Sequence, residues 1–349
     1  MAGKDLFRVL SLIIAASLTM QAGCSGPDRG SRQHAAPGGP YLGQALPGAV
    51  PVIFAEGIVS TGLYTRDIAM TPDGSEIYFS SVVGNYAYSA IFGVRLENGV
   101  WTGPKALEFA CDPAWMNIEP FIHPDGSRFF FISNRPDPES GEEAGDQDIW
   151  VADRTGNGWS AAYNLGAPVN SEAPEYFPSV TRTGTIYFTR EDPGTRVSRI
   201  FRSRPEGDVY KEPERLPDAV NTTSAQFNAF IDPDERFLIV CVFGRKDSFG
   251  STDYYITFRD DEDRWSGLIN MGALVNTEGG LEHSPYVSPD GGYFFFMSSR
   301  KKRAREIDRL PLTRERMMEM HDSPGYGNPV VWWMEASFID SLRTSAKWD

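Results

Sequence analysis

The strongest constraint on the fold of this chain is an internal repeat. Five turn segments occupy equivalent places along the 349 residues: Thr71-Pro72-Asp73-Gly74, His123-Pro124-Asp125-Gly126, Thr181-Arg182-Thr183-Gly184, Asp232-Pro233-Asp234-Glu235 and Ser288-Pro289-Asp290-Gly291. Their second residues lie at 72, 124, 182, 233 and 289, so consecutive repeats are 51 to 58 residues apart. A short aromatic or β-branched run follows each turn, as in Phe129-Phe130-Phe131. Such runs, bounded by turn residues, are typical of buried β-strands.

Each repeat contains further strands. A third strand recurs, for example at Asp148-Ile149-Trp150-Val151, and a fourth opens at an aromatic residue, namely Trp101, Trp159, Tyr210 or Trp265. Four short strands in a unit of about 50 residues describe one blade of a β-propeller, in which neighbouring sheets cover one another. The sequence therefore predicts an all-β fold, a five-bladed β-propeller of four-stranded blades. Six blades are the alternative count.

The two ends of the predicted ring are expected to meet in the last blade. The fifth repeat has a third strand at Val331-Trp332-Trp333 but no aromatic-led fourth strand, whereas the run 50–56 (VPVIFAE) begins the domain as a strand without a partner. Pairing the two would complete the last blade and leave no open sheet edge between the ends. We place the propeller at 50–343, with an insertion at 301–325 in blade five and a tail at 344–349.

Arginine recurs after the second strand of four repeats, at Arg135, Arg190, Arg245 and Arg300. Acidic residues recur just before the third strand, at Asp148 and Asp253. We therefore expect ion pairs within blades. The aspartates of the repeated turns are expected to have a structural role, because these turns favour Pro followed by Asp-Gly.

The best copies of the repeat run from His123 to Asn170 and from Ser288 to Arg300. They resemble the TolB-type, WD-like propeller repeats, in which Ser-Pro-Asp-Gly precedes a Tyr-Phe strand and then Asp-Ile-Trp. Blade three departs from this pattern at Arg182-Thr183, and blade four lacks the Gly. The resemblance implies an exported propeller used for binding. It is specific for the fold rather than for an activity.

The N-terminus has the features of an export signal. Lys4 and Arg8 precede an apolar run at 9–20 (VLSLIIAASLTM), which is shorter than the roughly 20 residues of a membrane helix. We predict a signal peptide at 1–23, followed by a flexible tether at 24–49 that is rich in Gly and Pro. The closure on Ala22-Gly23-Cys24 resembles the cleavage box of bacterial lipoproteins, which implies lipidation of Cys24. The predicted location is the periplasm or an anchor in the outer membrane.

Charge and motifs exclude several classes of function. With 33 basic and 47 acidic side chains, the formal net charge is −14, which argues against binding nucleic acid or anionic surfaces. We find no Gly-x-Ser-x-Gly elbow, no His-Glu-x-x-His, no Walker loop and no dinucleotide glycine pattern. Because the chain has four histidines, scattered over different segments, we predict no metal site and no cofactor.

Candidate site residues come from the start of each inner strand, where the loops of all blades converge on the central channel. The aligned repeats place a polar set there that differs between blades. The predicted ligand-binding residues are Arg66, Asp67, Asn117, Glu119, Glu175, Tyr176, Gln226, Asn228, Glu282 and His283. The structural alternative is a wet channel lined by hydrogen-bonded polar groups.

These observations predict a binding or scaffold propeller of the cell envelope, whose ligand is an envelope protein, a peptide or a glycan. A membrane would be contacted only through the lipid anchor. The rival hypothesis is a glycan-acting hydrolase that uses Glu119, Glu175 and Glu282, because paired carboxylates about 5–10 Å apart suit that chemistry. A third hypothesis is a purely structural envelope protein.

Overall fold

A computed structural model of the chain describes residues 38–137, 145–156, 158–207, 209–302 and 310–348. The predicted signal peptide and Cys24 lie outside these residues. The fold is a five-bladed β-propeller of four-stranded antiparallel blades, so the predicted class and blade count are confirmed.

The blades follow one another along the chain, and each begins at the channel with its inner strand. Blade 1 contains β2 (Tyr64–Met70), β3 (Glu76–Val83) and β4 (Tyr88–Glu97), with β5 (Val100–Trp101) and β6 (Lys105–Ala106) at its outer edge. Blade 2 contains β7 (Asn117–Ile122), β8 (Arg128–Ser133) and β9 (Asp148–Thr155), with β10 (Gly158–Trp159) and β11 (Tyr163–Asn164) at its outer edge. Blade 3 contains β12 (Glu175–Val180), β13 (Ile186–Glu191), β14 (Ser198–Ser203) and β17 (Glu214–Arg215), and a separate hairpin of β15 (Pro205–Glu206) and β16 (Val209–Tyr210). Blade 4 contains β18 (Gln226–Ile231), β19 (Phe237–Phe243), β20 (Thr252–Phe258) and β21 (Ile269–Asn270).

Blade 5 closes the ring as the sequence predicts. Its strands are β22 (Glu282–Val287), β23 (Tyr293–Ser298), β24 (Val330–Glu335) and the N-terminal β1 (Val52–Ile53). β1 pairs antiparallel with β24, with Ile53 opposite Trp332. The next residue, Phe54, is fully buried and packs edge-on against Phe295 and Trp333, at ring-centroid distances of 5.0 and 5.2 Å.

The repeated turns are held by their own side chains. In blade 1 the Thr71 hydroxyl donates to Asp73, which also accepts from the Ser75 N–H, and Gly74 has a φ of +67°. A positive φ at this place suits Gly, which has no Cβ. Blade 4 has Glu235 there with a φ of +55°, and its carboxylate accepts from the Tyr187 hydroxyl.

Aromatic side chains fill the core. The second strands contribute fully buried rings such as Phe129, Phe130 and Phe131. On the channel axis Phe121, Phe230 and Tyr286 meet, with ring-centroid distances of 5.6 to 6.5 Å. These three rings from blades 2, 4 and 5 close the channel below its polar end.

Part of the segment that we predicted as tether, residues 38–49, packs on the propeller. This segment contains a short 3-10 helix (Tyr41–Gly43), and a second one lies at Glu108–Ala110. The Tyr41 ring packs against Trp333 at a ring-centroid distance of 5.3 Å, and the Gln44 side chain forms hydrogen bonds with the backbone of Ile53 and Ala55. Two α-helices complete the described structure: α1 (Arg314–His321), between β23 and β24, and α2 (Phe338–Arg343), after β24.

Candidate functional site at the channel mouth

All five inner strands carry a bulge at the same place. The register with the second strand shifts there in every blade. The residues at the bulge have φ values between +50° and +62° and are Asp67, Glu119, Phe177, Asn228 and Ser284. None is Gly, although this conformation disfavours side chains by roughly 1–2 kcal/mol per residue. Bulges re-aim side chains, and these stand around the channel axis.

The preceding blade provides the acceptor for the bulge N–H group in blades 2 to 5. The N–H of Glu119 donates to Ser80 Oγ at 3.1 Å, and the N–H of Asn228 donates to Thr189 Oγ1 at 3.1 Å. The N–H of Ser284 bonds the buried Cys241 in the same way. Each acceptor lies on the second strand of its own blade, opposite the inner-strand residue that precedes the bulge in that blade. Hydrogen bonds therefore connect neighbouring blades at the level of the bulges.

A cavity of about 430 Å³ opens at this end of the channel, and we call it the mouth cavity. Five of the sequence-predicted residues line it: Arg66, Glu119, Tyr176, Asn228 and His283. Other lining residues are Tyr86, Met116, Gln147, Glu191, Arg196 and Phe227. All five inner strands contribute to the cavity.

Arg66 is the centre of a buried charge network beside the mouth cavity. Its Nε donates to both carboxylate oxygens of Asp67 at 2.9 Å, and its Nη1 donates to the Tyr86 hydroxyl at 2.7 Å. Its Nη2 donates to Glu119 Oε1 at 2.5 Å. The Ser284 hydroxyl donates to Asp67. The charge of the guanidinium is thus matched within the protein.

Both oxygens of Glu119 have partners. Oε1 accepts from Arg66, and Oε2 accepts from the Phe177 N–H at 2.7 Å. Burial raises the pKa of Glu119 to about 7, and the Asp67 carboxylate adds to this rise, while Arg66 opposes it. Glu119 therefore lines the cavity but also serves as an acceptor for a backbone bulge.

Asn228 and His283 are polar side chains without partners. Asn228 is 3% exposed, and among the described residues its side-chain amide makes no hydrogen bond. The His283 ring likewise makes no hydrogen bond within the described part of the chain. Its plane is at 89° to that of the Phe227 ring, and the two ring centroids are 5.1 Å apart. Burial lowers the pKa of His283 to about 3, so the ring is neutral at ordinary pH.

Four predicted residues occupy the first position of their inner strands and do not line the mouth cavity. They are Asn117, Glu175, Gln226 and Glu282, and all are buried. Each bonds its own blade or the loop that leads into it. Glu175, for example, accepts from Arg190 Nε and from the Ser171 hydroxyl, both at 2.5 Å. The three candidate carboxylates thus do not converge, because Glu175 and Glu282 face the blade rather than the cavity.

The ion pairs predicted within blades form in blades 3 and 4, but in blade 4 the partner is not the predicted Asp253. Arg190 pairs with Glu175, and Arg245 pairs with Asp247 at 2.9 Å. Asp253 instead accepts from the N–H groups of Phe249 and Gly250. The acidic residue before the third strand therefore fixes a loop.

Sequence reasoning missed two kinds of lining residue. Tyr86, Gln147, Glu191 and Arg196 lie on or beside the loops between second and third strands, whose lengths differ between blades and which the repeat does not align. Phe227 lies between two predicted residues on β18. Its position was the available signal, since the residue before the bulge lines the cavity in every blade. These residues are Arg66, Ile118, Tyr176, Phe227 and His283.

The protein is thus a five-bladed β-propeller with the mouth cavity at one end of its central channel. No protein-family model matches the sequence, and no curated protein matches it. Solved structures that are similar include a protein assigned as TolB from Agrobacterium tumefaciens, with 12% identity and a TM-score of 0.46 over 78% of this chain and 90% of that one. TolB from Acinetobacter baumannii has 14% identity and a TM-score of 0.42, over 78% of this chain and 57% of that one. A gluconolactonase from Xanthomonas campestris has 13% identity and a TM-score of 0.41, over 87% and 99%.

No group of three or more His, Cys, Asp or Glu side chains in the described residues is arranged to hold a metal ion. Of the helices in this part of the chain, none has the length and apolar character needed to span a bilayer.

Proposed function

We propose that this protein is a binding module of the cell envelope whose ligand enters the mouth cavity. The observation that carries the proposal is the pair of unpartnered polar side chains, Asn228 and His283, in a cavity that all five blades build. Asn228 is 3% exposed and His283 is half-buried, both side chains line the cavity, and a ligand that enters it can bond them in place of water. The cavity also has the size of small-ligand sites, which are commonly about 300–1,000 Å³.

The export signal in the sequence supports a location in the periplasm or at the outer membrane, with an envelope protein, a peptide or a glycan as the ligand. The acidic balance of the chain disfavours nucleic acid.

The test is a retention screen followed by a blocked variant. Wild-type protein is screened against peptide and glycan arrays, and the affinity of each retained probe is measured by calorimetry. Met116→Trp should weaken binding by at least about tenfold, because the larger ring fills the cavity that Met116 lines. Met317→Trp is the matched control, since Met317 is 59% exposed on α1. Equal binding by both variants, or no retained probe, contradicts the proposal.

A glycan-acting hydrolase is the second candidate, because Glu119 combines a place in the mouth cavity with a pKa of about 7. Glycoside hydrolysis uses two carboxyl groups. The other carboxylate that lines the cavity, Glu191, forms an ion pair with Arg196 at 2.9 Å. Product release from a polysaccharide panel by the wild type, and its loss in Glu119→Gln, would support the enzyme. A wild type that releases no product contradicts it.

A further inference from the structure

We infer that the mouth cavity takes an uncharged sugar residue and that Asn228 and His283 determine its specificity; this inference rests on the proposed function.

The charges around the mouth cavity are paired within the protein. Arg66 contacts both Asp67 and Glu119, and all three side chains are at most 5% exposed. Glu191 is paired with Arg196. A charged ligand group that takes Arg66, Asp67 or Glu119 as its partner would have to break one of these buried pairs, which is costly. An uncharged ligand leaves them intact.

The inner strands offer no regular edge for an extended peptide. A peptide that adds to a sheet pairs with a row of free backbone N–H and C=O groups. Here every inner strand is interrupted by its bulge, and the N–H groups of Glu119, Phe177 and Asn228 already donate to the preceding blade. The cavity therefore favours a compact ring over an extended chain.

The unpartnered groups match the hydroxyls of a sugar. The Asn228 amide offers both a donor and an acceptor, and so does the neutral imidazole of His283. Neighbouring sugar hydroxyls also donate and accept, so each can bond such a group in both directions. Phe227 and Tyr176 line the same cavity and offer apolar surface to the C–H face of a sugar ring.

The test compares neutral and charged probes of the same length. Chitohexaose is neutral and its deacetylated form is cationic, while cellohexaose is neutral and its C6-oxidised form, a β-1,4-linked hexaglucuronic acid, is anionic. We expect calorimetry to show binding of at least one neutral oligosaccharide, with about tenfold or greater preference over its charged counterpart. A set of peptides from the array screen is measured alongside.

Asn228→Gly should weaken this binding by about tenfold or more, because two hydrogen-bonding groups are lost while Gly accepts the positive φ. Asn98→Gly is the matched control, since Asn98 is exposed and has a φ of +51°. His283→Phe keeps a ring beside Phe227 and removes both ring nitrogens, and we expect a similar loss.

The outcomes separate the two claims. Peptide binding, or a preference for a charged oligosaccharide, that Met116→Trp abolishes would overturn the sugar inference and leave the proposed function standing. Neutral sugar binding that is unchanged in Asn228→Gly and His283→Phe would overturn the assignment of these residues. If no probe binds, both the inference and the proposed function fail.

Discussion

Replacing Glu282 by Gln is expected to change how the stability of the propeller depends on pH. Glu282 is fully buried at the start of β22. Its Oε1 accepts from the hydroxyls of Thr277 at 2.6 Å and Ser298 at 3.0 Å, and within the described structure its Oε2 has no hydrogen bond. Burial raises the pKa of Glu282 from 4.5 to about 7.

The size of the effect follows from this pKa. Below pH 4.5 the carboxyl group is protonated in both the folded and the unfolded chain. Between pH 4.5 and about 7 the unfolded chain releases the proton while the folded chain keeps it, so the stability that protonation provides is lost as the pH rises. Because each pKa unit corresponds to about 1.4 kcal/mol, Glu282 lowers the free energy of unfolding by about 3 kcal/mol between pH 4.5 and 8.

Urea denaturation of the wild type and Glu282→Gln at several pH values between 4.5 and 8 tests this expectation. Gln cannot ionise, so the difference in unfolding free energy between variant and wild type should move in favour of the variant by about 3 kcal/mol over this range. Glu278→Gln, which changes an exposed carboxyl on the same loop, is the control and should show no such change. A pH-independent difference between Glu282→Gln and the wild type would refute the reasoning.

Three further substitutions test the closure of the ring and the hydrogen bonds between neighbouring blades. Phe54→Ala removes a fully buried ring next to the closing strand and should lower the unfolding free energy by about 3–5 kcal/mol in urea, and a loss below about 1 kcal/mol would contradict the closure as described. Glu119→Ala leaves the Phe177 N–H without its acceptor and should cost about 1–3 kcal/mol or more. Ile132 occupies in blade 2 the position that Thr189 occupies in blade 3, so Ile132→Thr places a hydroxyl acceptor where the Phe177 N–H needs one. It should therefore recover part of this cost in the Glu119→Ala background but destabilise the wild type. If a double-mutant cycle shows no coupling between Glu119→Ala and Ile132→Thr, Glu119 does not take the place of an acceptor that is missing at position 132.

The repeat was sufficient to predict the ring because it reports a property shared by all blades. Every blade must bury both faces of a short sheet, so each requires the same turn and the same run of apolar residues. The pairing of Ile53 with Trp332 could also be predicted, since a missing strand at one end of the domain matched an extra strand at the other. Residues 38–49 could not be placed in this way. Their Gly- and Pro-rich composition is typical of a tether, and the contacts of Tyr41 and Gln44 belong to one place in one blade.

The directions of the site residues could not be predicted, because the bulges reset the alternation of the inner strands. In a regular strand, residues two apart point to the same side. At each bulge one residue with a positive φ is inserted, and its neighbours change sides relative to that rule. The bulge positions hold Asp, Glu, Phe, Asn and Ser, so no glycine marks them. Polar residues at the first position of the inner strand, such as Glu175, therefore looked equivalent to those that line the cavity.

A rule that separates these residues lies in the comparison of neighbouring blades. In blades 2, 4 and 5 the bulge N–H group donates to the second strand of the preceding blade, where Ser80, Thr189 and Cys241 provide the acceptors. Blade 2 has Ile132 at this place, which has no acceptor, and Glu119 provides it instead. The acidic residue in blade 2 thus compensates for an apolar residue in the same blade, and both are visible in the aligned repeats. No comparable deficiency in a neighbouring blade explains Asn228 or His283, whose side chains line the cavity and make no hydrogen bond within the described structure.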